Sequence, residues 1–372
     1  MRVSILREQL ESERRVAVTP ETVKKLLGMG LEVAIESGAG LSSYHSDNDY
    51  AVAGATIYNS VPDVLKNSKL ILTVQRPNTK VVDFIPSGTI LIGLLDPIAN
   101  EDDIAIYANK NITSFSLEFI PRISRAQSMD VLSSQSSLAG YRAVIDAVSE
   151  FDRALPLMMT AAGTIPPAKV FVLGAGVAGL QAIATAKRLG AVVFATDVRP
   201  AVAEQVESLG ATFVSPPQMT DSETKGGYAK ALDEEMKKLQ AEIISDTLSK
   251  IDIAICTALI PGRKAPTLID ESMINNMKKG SVIIDLAVEQ GGNCTLSKPG
   301  QIINANGIKI IGHKNMPSRI AIDSSALYAR NLIHFLSPLI IDGELAIDWE
   351  DEIIQSSLLT HEGKIVNKQL TK

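Results

Sequence analysis

KVFVLGAGVAGLQAIATAKRLGAVVFATDVRP, residues 169–200, is the stretch that decides the fold. An apolar, β-rich run at 169–173 leads into Gly174, Gly176 and Gly179 at GxGxxG spacing, and a helical pattern opens directly behind them. Each glycine has its own task. Gly174 permits a tight turn, Gly176 lets the backbone approach a pyrophosphate, and Gly179 lets helix and strand pack closely. Val177 and Ala178 lie in the helix N-terminus, whose free N–H groups and positive dipole end suit phosphate. Asp197 follows Gly174 by twenty-three residues, at the end of the next strand, where a carboxylate can accept both ribose hydroxyls. Its charge repels a 2′-phosphate and so selects NAD(H), although Arg199 nearby works against that selection. With Val198, these residues form the expected cofactor cradle. A lone GxGxxG is equally a glycine-rich turn without a ligand; strand, turn, helix, second strand and acid in sequence make it specific.

Outward from this motif, strand patterns recur at 192–196, 211–214, 253–256, 282–286 and 308–311, giving six strands with crossover helices. Loops at the strand C-termini should line the same cleft. Thr257, Ala258 and Leu259 after the fourth strand, and Glu289 after the fifth, are therefore candidate cofactor contacts, with ordinary turn chemistry as the alternative. The N-terminal part repeats the alternation, with strands at 2–6, 31–35, 70–74, 89–94 and 112–119. A helix start is written in Thr19-Pro20-Glu21. A late helix at 322–335 carries the chain back. The expected fold is α/β, with two Rossmann-like, doubly wound parallel-sheet domains. The first is discontinuous, 1–133 plus 322–372, and the second, 134–321, binds NAD. The residues after 340 are weakly patterned, with a surface or packing role as the default reading.

Composition excludes several classes. The chain has 372 residues, 45% of them apolar, enough for more than one core, and a net charge of −6. Without a Lys/Arg block, nucleic acid is not an expected partner. Cys256 and Cys294 lack CxxC spacing, and four scattered histidines show no metal-ligand pattern, so no metal is expected. The N-terminus has no signal-peptide core, and no apolar run is long enough to span a membrane.

The densest polar cluster, PRISRAQSMDVLSSQSS at 121–137, follows a buried strand pattern, and its first half has no apolar stripe that would pack it as a core helix or strand. Behind it a helix is expected at 138–151, with apolar positions at Leu138, Tyr141, Val144 or Ile145, Val148 and Phe151. Arg122, Arg125, Gln127, Asp130 and Ser133 could hold a carboxamide, a ribose or a pyrophosphate, or could simply form a solvated loop capping that helix. The proton-transfer group that an ordinary dehydrogenase needs is missing: no His–Asp or Ser–His pairing is suggested, and His313 is the only histidine near the expected cleft. Hydride passing directly between two nicotinamides needs positioning rather than proton transfer.

PRISRAQSMDVLSSQSSLAGYRAVIDA, MMTAAGTIPPAKVFVLGAGVAGLQAIATAKRLGAVVFATDVRP, TALIPGRKAPTLI and GSVIIDLAVEQGGN resemble the NAD(H)-binding component of proton-translocating nicotinamide nucleotide transhydrogenase. The resemblance runs from RVAVTPETVKKL to about residue 336 and weakens after 340. It implies an NAD(P)+ transhydrogenase: a homodimer that binds NAD(H) and docks on a separate NADP(H)-binding component above membrane-spanning subunits. It also implies that Arg122, Gln127, Asp130 and Ser133 hold the nicotinamide end, with Gln127 reaching toward the partner's nucleotide. A mobile loop would close over the nucleotide with Tyr228 at its tip. Ending without membrane helices, the chain resembles a free-standing bacterial subunit, cytoplasmic and peripheral on the inner membrane.

Alanine dehydrogenase is the rival. Arg15 in RRVAVTPE matches its substrate-binding arginine, but its catalytic lysine is replaced by Gln75 and its catalytic histidine by Leu95. A subunit that senses NAD without hydride transfer is a third reading, and the intact 122–130 loop argues against it.

Overall fold

The computed structural model describes residues 1–216, 234–260 and 262–371. Two compact units divide the chain: Met1–Gln135 with Ser318–Lys372, and Ser136–Pro317.

In the first unit, β1 (Arg2–Ile5), β2 (Glu32–Glu36), β3 (Thr56–Tyr58), β4 (Leu70–Gln75), β5 (Ile90–Leu94) and β6 (Thr113–Ser116) pair in parallel in the order β6-β5-β4-β1-β2-β3. That is the order of a doubly wound sheet, covered on both faces. Alternation along each strand feeds two cores: Leu70, Leu72, Ile90 and Ile92 point into one, Ile71 and Leu91 into the other. The helix Pro20–Gly28 starts where Thr19 and Thr22 cap one another, with Pro20 in the first turn.

The strand expected at 112–119 stops at Ser116. The chain then makes the 3₁₀ turn Leu117–Phe119, which lets Glu118 fold back onto the amides of Leu95 (3.2 Å) and Asp96 (2.8 Å). The weakly patterned tail is part of this sheet. Leu358–His361 pairs antiparallel with β6, and Lys364–Ile365 pairs with it in turn. Thr360 Oγ1 lies 2.6 Å from Ser114 Oγ and donates to Ile112 O at 2.7 Å. The late helix, Ala321–Leu336, buries Tyr328, whose hydroxyl donates to Thr73 O at 2.7 Å.

In the second unit, β7 (Met158–Thr160) and β8 (Gly163–Ile165) form an exposed hairpin. The sheet comprises β9 (Lys169–Leu173), β10 (Val192–Thr196), β11 (Thr212–Phe213), β12 (Ile253–Cys256), β13 (Val282–Asp285), β14 (Gln301–Ala305) and β15 (Ile308–Gly312), in the order β11-β10-β9-β12-β13-β15-β14. The strand expected at 211–214 is only two residues long. A seventh strand, β14, joins the six expected, antiparallel to β15. Its two-residue loop is Asn306-Gly307, with φ of +53° and +89°, the Asn-Gly signature of a tight hairpin.

The junction helix is longer than expected, Val131–Glu150, and its buried stripe is rotated. Ala139, Ala143, Val144, Ala147 and Phe151 face the core, while Tyr141 is exposed. Alanines fill the face because a neighbouring helix comes close: a Cβ on Gly140 would lie 2.0 Å from Ala178 O.

Candidate functional site

The phosphate-type turn after β9 gives its three glycines three different environments. Gly174 holds φ +105°, a left-handed conformation that disfavours any side chain. A Cβ on Gly179 would fall 1.9 Å from Gly174 O, so the helix Val177–Arg188 can sit this close only with glycine there. A Cβ on Gly176 would meet nothing within 4 Å. Gly176 is also the residue preceding the helix, with no side-chain cap on the helix amides. These amides, including those of Val177 and Ala178, can therefore receive an anion from outside. A dinucleotide pyrophosphate fits this turn.

Asp197 is buried at the end of β10 and already occupied. Its Oδ2 accepts from Ala175 N at 2.7 Å, and its Oδ1 accepts from Arg199 N at 2.9 Å. The Arg199 guanidinium pairs side-on, Nε to Oδ1 and Nη2 to Oδ2, both at 2.9 Å. These bonds use all of roughly four lone-pair sites on a carboxylate. A ribose reaches Asp197 only by displacing part of this set, and the arginine is the movable part. Val198 lies between the two.

The loop after β12 is tied to the same turn. Thr257 Oγ1 donates to Gly174 O at 2.9 Å. Ala258 is gripped at both backbone groups by the amide of Asn293, which receives from its N–H at 3.1 Å and donates to its carbonyl at 2.9 Å. Leu259 next to it is exposed. Asn293 is held by Asp285, which also accepts from the amides of Ala287 and Cys294 and from Ser297 Oγ. This buried Asp285–Asn293 support was missed in the sequence: both residues lie within GSVIIDLAVEQGGN, but of that stretch only Glu289 was singled out as a contact. Glu289 is exposed and accepts from Asn315 N at 2.8 Å, joining the loops that follow β13 and β15. His313 Nε2 lies 4.0 Å from Asp146, which Arg142 also contacts at 2.7 Å. Tyr228 and the segment around it, and Pro261, lie outside the described residues.

In the first unit, the polar stretch has an apolar stripe of period three. Ser124–Met129 is a 3₁₀ helix in which positions three apart eclipse, so Ala126 and Met129 are buried with Ile123 packed beside them. A period of three matches neither the helix nor the strand pattern, so the stretch is, as expected, neither a core helix nor a core strand. Arg122, Arg125 and Gln127 are turned outward and exposed. Arg125 pairs bidentately with Asp351 at 2.6 and 2.8 Å. Asp130 precedes the junction helix and accepts from Ser133 N at 2.9 Å and Ser133 Oγ at 2.5 Å, an N-terminal cap.

The positions that would serve amino-acid oxidation are occupied otherwise. Arg15 is buried in a bidentate pair with Glu13 at 2.8 and 2.6 Å and reaches Gln135 at 2.8 Å. Gln75 Nε2 donates to the same Glu13 at 3.1 Å, and Leu95 is a fully buried core residue. Among the described residues there is no group of side chains able to hold a metal, and no helix is long and apolar enough to cross a membrane.

Two family models match the chain: alanine dehydrogenase/PNT, N-terminal domain, over residues 4–139, and alanine dehydrogenase/PNT, C-terminal domain, over residues 143–368. The chain is 52% identical over 380 aligned residues to the first part of the NAD(P) transhydrogenase alpha subunit of Rhodospirillum rubrum, covering 100% of this chain and 99% of that one. A crystal structure of transhydrogenase from Sinorhizobium meliloti superposes with a TM-score of 0.90 at 49% identity, covering 98% of this chain and all of that one. Alanine dehydrogenase of Mycolicibacterium smegmatis is 28% identical over 100% of this chain and 96% of its own length.

Proposed function

The chain belongs to the alanine dehydrogenase/PNT family, and on that premise we propose that it is the NAD(H)-binding subunit of a proton-translocating NAD(P)+ transhydrogenase. The observation that carries this reading within the family is the pair Gln75 and Leu95. One is neutral and bound to Glu13, the other is core, and neither can move a proton at an amino-acid carbon. Direct hydride transfer has no need of such a group. The identities point the same way, 52% to a transhydrogenase subunit against 28% to an alanine dehydrogenase.

Bound NADH supplies the hydride, and the residues of this chain bind and orient it. Gly174, Gly176, Val177, Ala178 and Gly179 receive the pyrophosphate, and Asp197, with Val198 and Arg199, receives the adenosine ribose. Thr257, Ala258, Leu259 and Glu289 border the cleft. Arg122, Gln127, Asp130 and Ser133 position the nicotinamide toward NADP+ on a partner component. Membrane-spanning subunits carry the protons, with this chain peripheral on the cytoplasmic face of the inner membrane. The subunit is a homodimer, a reading supported by the β7–β8 hairpin, on which Leu157, Met158, Met159 and Ile165 are all exposed.

The test is reconstitution. Mixed with purified NADP(H)-binding component, the chain should exchange hydride between NADH and a bound NADP+ analogue. Absence of exchange at saturating partner rejects the proposal, and NADH oxidation driven by pyruvate and ammonia would restore the amino-acid reading.

A further inference from the structure

We propose that Ser136 and Ser137, on the junction helix Val131–Glu150, bind the dinucleotide pyrophosphate from the side opposite the glycine turn. The inference rests on the nucleotide reading above. Gly140 fixes the register, because its absent Cβ would fall 2.0 Å from Ala178 O, in the first turn of the helix Val177–Arg188. Farther along, the chain meets the other end of that helix: a Cβ on Gly190 would lie 2.7 Å from Pro156 Cβ. The two helices therefore run side by side in the same direction, with Gly140 level with the second residue of its neighbour. One turn back from Gly140 the junction helix has risen about 5.4 Å, past the neighbour's N-terminal end. The residues on Gly140's face at that level, four and three positions earlier, are Ser136 and Ser137. Helical side chains lean toward the N-terminus, which carries both hydroxyls further the same way. The region beyond that end is where helix amides receive phosphate, and there Gly176 leaves open space.

The hydroxyls themselves provide the second observation. Ser133 is bound to Asp130, and Ser134 donates to Asn331 Oδ1 at 2.7 Å and to Val131 O at 3.2 Å. A serine inside a helix ordinarily turns its hydroxyl onto a carbonyl one turn back, as Ser134 does. Ser136 and Ser137 are half-buried, and among the described residues neither hydroxyl has a hydrogen-bond partner. Two unengaged donors at a dianion site are suited to charge-assisted hydrogen bonds.

The experiment is a titration of the full chain with NADH, ADP and adenosine, the last by competition. In the S136A/S137A double variant, NADH and ADP should each bind about tenfold more weakly, with adenosine unchanged. The S136T/S137T variant keeps both hydroxyls and should hold ADP within about threefold of wild type. Unchanged ADP affinity in the alanine variant overturns the proposal, as does an equal loss for ADP and adenosine, which marks a general disturbance of the site. If the wild-type chain binds neither NADH nor ADP, the nucleotide reading itself fails, and this inference with it.

Discussion

Both units wind six parallel strands in one order, and they finish those strands in opposite ways. At the end of β9 the second unit leaves a glycine turn whose helix amides carry no side-chain cap and where Gly176 faces open space. The first unit fills the corresponding ends with its own carboxylates. Glu8, beyond β1, accepts from the amides of Val74 (2.7 Å) and Gln75 (3.0 Å) at the end of β4. Glu118, beyond β6, accepts from Leu95 and Asp96 beyond β5, and Glu13 takes up Arg15 and Gln75. Doubly wound topology delivers hydrogen-bond donors to the strand ends in both cases. Whether they serve a ligand depends on what the next few residues put against them.

Breaking the open site should have the largest effect. Gly179→Val places a side chain against Gly174 O, where no backbone adjustment is cheap; NADH affinity should fall by roughly a hundredfold or more, read by NADH fluorescence. Binding within a few fold of wild type would mean that the turn is not the phosphate site. Asp197→Ala should cost NADH about tenfold to a hundredfold in affinity and leave weak NADPH binding nearly untouched. An equal loss for both nucleotides would remove Asp197 as the selector. Gln127→Asn shortens an exposed side chain by one methylene. It should slow hydride transfer about tenfold or more in stopped flow while NADH affinity stays within about twofold. A loss confined to binding would make Gln127 an affinity contact only.

The closed ends provide the smallest and most specific test. Burial pushes the Glu8 carboxyl up to about 8, with Glu13 adding to the rise and the amides of Val74 and Gln75 opposing it. The folded value lies above the usual 4.5, so the unfolded chain gives up this proton first. This group's contribution to stability is present at low pH and is lost as pH rises from about 4.5 to about 8. Glu8→Gln should therefore flatten the fall of Tm across that interval by thermal melts. An unaltered slope would show that Glu8 does not hold its proton.

Legibility in the sequence followed the strength of local chemistry. The turn at Gly174–Gly179 was readable because only glycine tolerates +105° at one position and a 1.9 Å approach at another. The parallel core strands were readable because burial on both faces demands long apolar runs. The outer strand Leu358–His361 was hidden because its partner contact is polar, Thr360 against Ser114, so no alternation marks it. Ser124–Met129 was hidden by its period of three. The Asp285–Asn293 support was hidden for a third reason: all but one of its bonds go to backbone groups, which leave no trace in side-chain pattern.

The return of the chain to its first sheet has a consequence for synthesis. Residues 136–317 form one continuous segment and can close as soon as they leave the ribosome. The other unit waits. Met1 is bound to Gly343, and Ser114 must find Thr360, which is made 246 residues later. At about 5–20 residues per second, the edge of β6 stands open for on the order of 10–50 s, able to pair with other nascent chains. The arrival of the strand Leu358–His361 thus decides when β6 is safe from aggregation.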